Sequence, residues 1–162
     1  MSDYLLLLFG VLLVLGTGLF VASEFAIINV DKVDLESRKA EGEKGLDLPI
    51  RAVSTTATQL SSAQLGITLT TLLTGFVAEP ALSRLLSPWL GSLGLDASTI
   101  SALAVVLAMT IATVASFLIG ELVPKNMALS APRKVLKLVA AFQLGFTFIF
   151  KPIIVFLNNN GN

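Results

Sequence analysis

The chain has 162 residues, with 11 basic and 11 acidic side chains, 54% hydrophobic residues, 14% charged residues and a mean hydropathy of +0.85. Charge far below the roughly 25% of soluble domains, with apolar residues in long runs, defines an integral membrane domain, and no basic face favours nucleic acid as a partner. Cysteine and histidine are both absent. Disulfides, thiolate catalysis and the usual zinc or copper sites are therefore excluded, and any metal is held by oxygen, as suits magnesium, calcium, manganese or sodium.

In chain order, Met1-Ser2-Asp3 lacks a positive n-region, so the first apolar run reads as a retained span rather than a removable signal peptide. It begins at the interfacial residue Tyr4, and Glu24 is the one charge before Asp31; the span covers about 4–28. Gly16 and Ser23 share a face, where small residues let a neighbouring backbone approach. Residues 31–51 hold both signs of charge and predict a solvated juxtamembrane element over about 31–56.

The second uncharged stretch ends at Glu79-Pro80 and predicts a span at about 60–78. It carries two stripes at helical spacing: Ser62, Gly66 and Thr70 on one, Gln64, Thr68, Thr71 and Gly75 on the other. Packing is the simplest use of both, and more so of the second. Residues 79–99 predict a short amphipathic interfacial segment with Trp89 at the headgroups. Ser98 is placed to cap a third span at about 99–121.

Between Asp96 and Glu121 no residue is charged, about 24 residues, where a helix needs roughly 20 to cross a hydrocarbon core. The third span thus ends on a carboxylate, below a stripe of Thr110, Thr113 and Ser116. Pro124 has no N–H to give, which frees backbone carbonyls near Gly120 and Glu121. A carboxylate beside free carbonyl oxygens suits a hard cation. The alternative is a headgroup-level Glu121 paired with Lys125, four residues on. Both readings fit these residues in isolation.

The run 138–150 is too short to cross and is followed by Lys151-Pro152, so residues 132–158 predict an interfacial helix pair bent at Pro152. Lysine and arginine number five in residues 31–51, one in 79–99 and four in 125–137. That bias places the first and third connections in the cytoplasm, the N-terminus outside and the C-terminus inside. The polar tail 158–162 reads as a truncation before a cytosolic domain. With this topology Ser23, Ser62 with Gly66, and Gly120 with Glu121 fall at a similar depth in the cytoplasmic half. No nucleophile–base pair or nucleotide loop is present, which argues against an enzyme.

The segments Phe20-Val21-Ala22-Ser23-Glu24-Phe25-Ala26, Leu60-Ser61-Ser62-Ala63-Gln64-Leu65-Gly66-Ile67-Thr68-Leu69 and Gly120-Glu121-Leu122-Val123-Pro124-Lys125 resemble the transmembrane domain of the CorC/CNNM magnesium transporters. The resemblance covers essentially the whole chain. It implies an all-α integral membrane domain with three transmembrane helices, a belt of juxtamembrane helices and a homodimer in the plasma (inner) membrane. In that family, cytosolic paired CBS domains that bind ATP normally follow. The implied function is magnesium transport from a cytoplasm-facing acidic cavity, outward and exchanged against sodium. The implied ligands of Mg2+ are Ser23, Ser62, Gly66, Gly120 and Glu121. Eukaryotic relatives carry an amide where Gly66 stands, so a carbonyl or another residue substitutes here. Gln64 is one candidate, although it lies ~160° around the helix from Ser62. Glu24 is expected to face the stem or another partner. The competing reading is a membrane anchor and dimeriser for a cytosolic regulatory module, with a structural ion.

Overall fold

The structure, a computed structural model, describes residues 2–161, and of residues 158, 160 and 161 the backbone alone; the 158–162 tail thus lies largely outside the described side chains. The described residues form helices α1 (Asp3–Asn29), α2 (Lys32–Ala40), α3 (Asp47–Ser54), α4 (Thr56–Gly91), α5 (Ala97–Phe117), a π-helical segment (Leu118–Leu122), α6 (Val123–Ser130) and α7 (Pro132–Gly161). The all-α membrane architecture follows the sequence. By length and composition four helical stretches, including α5 through α6 taken as one, could cross a membrane, one more than the three expected, because residues 132–157 run on as one helix.

Local chemistry sets the breaks. The Ser2 hydroxyl accepts from the amides of Tyr4 and Leu5 and starts α1, and Asp31 accepts from Val33 N–H to start α2. Asp96, not Ser98, is the residue before α5. The Thr99 hydroxyl donates to the Asp96 carboxylate at 2.5 Å and holds its pKa below the usual carboxylate range. Between α2 and α3 the chain reverses through Gly42, whose φ of 103° disfavours a side chain.

The central unit is an antiparallel pair, α1 with α4. The Asp3 carboxylate meets the Arg84 guanidinium at 2.8 Å, Gly10 backs onto Ala78, the Thr17 and Thr70 hydroxyls lie 2.6 Å apart, Gly66 sits under the Phe20 ring, and Glu24 accepts from Gln64. Twenty-one residues up α1 match twenty down α4, a straight contact of about 30 Å at 1.5 Å per residue. A Cβ on Gly10 would come within 2.6 Å of the Ala78 Cβ, the close backbone approach that small residues allow where lipid offers no hydrophobic drive. Helix α5 leans on α4 through the fully buried Ala104 and Ala108.

A conventional hydrophobic core lies at the C-terminal end of α1. There Ala26, Ile27, Leu35, Ala52, Ala128 and Leu136, with Leu46 just before α3, bring α1, α2, α3, α6 and α7 together. Glu43, between α2 and α3, ties this belt to α7 by accepting from Lys137 at 3.2 Å beside Arg133 at 3.5 Å.

Three helices run further than the sequence implies. Helix α4 continues through Pro80 and Pro88 to Gly91, taking up the expected interfacial segment. The third does not stop near Glu121 but passes through the π segment and on to Ser130. Residues 132–161 form one helix through Pro152 rather than a pair. A proline removes one helical hydrogen bond, which α7 tolerates because its inner face is anchored on both sides of the ring. Gln143 and Thr147 bond to α4 before it, and Ile154 is fully buried after it.

Candidate cation site

The π segment is a direct response to Pro124. The Val123 N–H reaches back five residues to the Leu118 carbonyl, and Pro124 has no N–H for the next acceptor in line. The widened turn lets the chain stay helical while leaving backbone oxygens under-used. The Ile119 carbonyl lies against Gly18, where a Cβ would sit 3.3 Å from its oxygen and 3.0 Å from the Pro124 ring. Gly18 is therefore the residue that admits the proline-bearing turn to α1.

Glu121 projects from this turn and is exposed. Among the described residues its carboxylate has no hydrogen-bond or ion-pair partner. Lys125 does not pair with it; its ammonium lies 5.3 Å from the centre of the Phe25 ring. A carboxylate held only by an interfacial lysine is thus not what the geometry shows. Instead Glu121 lines a cavity of about 280 Å³ together with Glu24, Gln64 and Lys125, walled by Val21, Phe25 and Ile67. Within it the Gln64 amide donates to the Glu24 carboxylate at 2.6 Å. Two carboxylates and an amide oxygen face one space, with one ammonium at its edge.

The other residues singled out from sequence sit differently. Gly120 is buried against Thr17 and the Val14 carbonyl, next to the cavity residue Glu121. Ser23 is fully buried and donates to the Leu19 carbonyl at 2.7 Å. Ser62 is also fully buried, with its hydroxyl 2.7 Å from Thr147 Oγ1, in a cluster with Gln59 and Gln143 between α4 and α7. The Gly66 carbonyl accepts from the Thr70 hydroxyl at 2.9 Å, and the Phe20 ring covers the Gly66 Cα, itself boxed by Phe142 and Phe146. The common depth is also looser than expected. Gly120 packs at Thr17, six residues or about 9 Å up α1 from Ser23. Continuation of the third helix to Ser130 is the reason, because it draws Glu121 toward the middle of α1.

Glu24 is expected from the sequence to face elsewhere, and Gln64 is only a candidate on the wrong helical face, yet both line the Glu121 cavity. Counting helical angles from Ser62 sends Gln64 away from the Ser62 face, and it is that other face which looks onto the cavity. The available signal was the antiparallel register: once Gly10 is set against Ala78, residue 24 falls level with residue 64.

Residues 8–162 match the family of the cyclin M transmembrane N-terminal domain, and the chain belongs to that family of membrane domains. It is 37% identical over 155 residues to UPF0053 protein YhdT of Bacillus subtilis, covering 96% of this chain and 33% of that protein. Its identity to UPF0053 protein MT1890 of Mycobacterium tuberculosis is 36% over 147 residues, 91% of this chain and 32% of that one. The chain therefore spans about a third of the length of these relatives.

Proposed function

We propose that this domain carries magnesium across the membrane, and that Glu121 is the anionic group that binds the ion. The observation that supports this reading is an unpaired carboxylate on a π turn, beside carbonyls released by Pro124, facing a cavity shared with Glu24 and Gln64. Magnesium takes six oxygens and sheds its water reluctantly. Two carboxylates of one cavity would hold a partly hydrated ion and offset the cost of placing their charge among apolar helices. The family's ligand set of Ser23, Ser62, Gly66, Gly120 and Glu121 then describes a tighter state. Reaching it requires Ser23 to leave Leu19, Ser62 to leave Thr147 and the Phe20 ring to clear Gly66. Outward transport in exchange for sodium, a homodimer, a cytoplasmic C-terminus leading to ATP-binding CBS domains, and a plasma (inner) membrane location complete the reading.

Calorimetry with magnesium on the purified domain tests it. Glu121→Gln keeps size and removes charge, and should abolish measurable binding while the protein stays monodisperse. Glu24→Gln should weaken binding by about tenfold, the loss of one of two nearby charges being of order 1.4 kcal/mol. Normal binding by Glu121→Gln would make that carboxylate a bystander and end the proposal.

A further inference from the structure

Glu121 faces a second cavity, of about 440 Å³, on the side away from Glu24 and Gln64. Its lining climbs from Thr17, Ser116 and Glu121 past Thr71, Thr74 and Thr113 to Glu79. Among the residues around the two cavities, Glu121 alone belongs to both. The separation holds on each helix. On α1 the residues are 21–25 for one cavity and 17 for the other; on α4 they are 64 and 67 against 71–79; on the third helix they are 121–125 against 109–121. Glu121 therefore stands where two half-cavities meet end to end.

The second cavity carries polar groups that the fold itself does not use. Serine and threonine within helices usually donate to the carbonyl four residues back, as Ser23, Thr70, Thr74 and Thr110 do. Thr71, Thr113 and Ser116 have no such bond, nor any other hydrogen-bond partner among the described residues. Glu79 is half-buried and likewise has no hydrogen-bond or ion-pair partner among them. An ionisable residue left unpaired within an apolar helix marks an ion path more often than a packing element. The space also suits a hydrated divalent ion, whose six waters fill about 180 Å³ at ~30 Å³ each.

We infer that this cavity is the second half of the cation path, with Glu79 the station that takes the ion after it leaves Glu121 and the free hydroxyls of Thr71, Thr113 and Ser116 guiding its water shell between them. The inference rests on the transport reading of Glu121. It assigns Glu79 a role in passage and none in equilibrium binding at Glu121.

The test uses the whole chain in proteoliposomes with an entrapped magnesium-sensitive dye, alongside calorimetry in detergent. Glu79→Gln should bind magnesium within about twofold of wild type yet carry flux at least about tenfold slower, one charge being worth of order 1.4 kcal/mol to the ion's passage. Glu79→Asp, which keeps the charge, should restore most of the flux. Thr113→Leu, at an exposed position with no partner to lose, should fill the cavity and slow flux with binding intact. Wild-type flux in Glu79→Gln, or in Thr113→Leu should Glu79→Gln not fold, overturns the inference and leaves Glu121 as the binding carboxylate. Loss of equilibrium binding in Glu79→Gln also overturns it, because Glu79 would then belong to the Glu121 site. Absence of magnesium flux through the wild-type chain overturns the transport reading and this inference together.

Discussion

The two polar stripes of α4 have nearly the same composition and opposite uses. Ser62, Gly66 and Thr70 face inward and are covered by α1 and α7, while Gln64, Thr71 and Gly75 are exposed along the two cavities and Thr68 is exposed beside them. On the inner stripe every polar group has a partner: Ser62 has Thr147, the Gly66 carbonyl has Thr70, and Thr70 has Thr17. On the outer stripe Thr71 has none among the described residues, and a Cβ on Gly75 would meet nothing within 4 Å. Small and polar residues in a membrane helix thus serve either as packing glue or as the wall of a wet space. The neighbour decides which.

The sharpest way to break this contrast is a matched pair of glycine substitutions. In Gly66→Ala the new Cβ would sit 2.4–2.6 Å from three atoms of the Phe20 ring. That ring is 3% exposed and held between Phe142 and Phe146, at centroid distances of 4.9 and 4.6 Å, so it has little room to yield. Overpacking of this kind costs about 1–3 kcal/mol, partly offset by the better helix propensity of alanine, at most ~1 kcal/mol. A lower Tm in detergent is expected for Gly66→Ala, and an unchanged or slightly higher one for Gly75→Ala. Equal effects would show that the two stripes are not packed as described.

A smaller effect separates Thr147→Val from Thr71→Val. The Thr147 hydroxyl lies 2.7 Å from both Gln59 Oε1 and Ser62 Oγ, in a cluster where Gln143 is fully buried and its Oε1 already has no partner. Valine keeps the shape and strands the Ser62 hydroxyl, while Gln59 Oε1 keeps Gln143 Nε2 at 3.2 Å, for a loss of about 1 kcal/mol, the low end for buried groups because a membrane-unfolded chain also finds partners. Thr71→Val removes no bond and should leave the Tm unchanged. Parity between the two in thermal unfolding would mean that the α4–α7 cluster is not formed.

Most of the architecture was legible because long uncharged runs and punctuating charges translate directly into membrane helices. Prolines misled. Pro80 and Pro124 read as ends and Pro152 as the bend of a helix pair, yet each lies within a continuing helix, since packing on neighbouring helices offsets the lost hydrogen bond and, at Pro124, a π turn absorbs the misfit. The importance of Glu121 could be read from its isolation in an apolar run. Its meeting with Glu24 and Gln64 could not, since a helical wheel gives the angle of a side chain but not the helix it faces. Packing is expected of both α4 stripes and more of the outer one, and the weighting fails for the same reason: Phe20 and Thr17, far away in sequence, choose the inner one.

The finest test of the inner stripe is the pair at its centre. Thr17 and Thr70 hydroxyls approach to 2.6 Å across α1 and α4, yet each also bonds to its own helix, Thr17 to the Leu13 carbonyl at 3.1 Å and Thr70 to the Gly66 carbonyl at 2.9 Å. With one proton per hydroxyl, only one of the two can donate across the helices at a time, and the other keeps its bond home. Losing the partner therefore returns a donor to a carbonyl that was waiting for it, so little free energy is at stake. A double-mutant cycle with Thr17→Ala and Thr70→Ala should give a coupling of about 0.6 kcal/mol, the average for interhelical hydrogen bonds in membranes. A coupling above about 2 kcal/mol would exceed the range for such bonds. It would mean that the two hydroxyls jointly hold something else between the helices, such as the ion or its water on the way past Glu121.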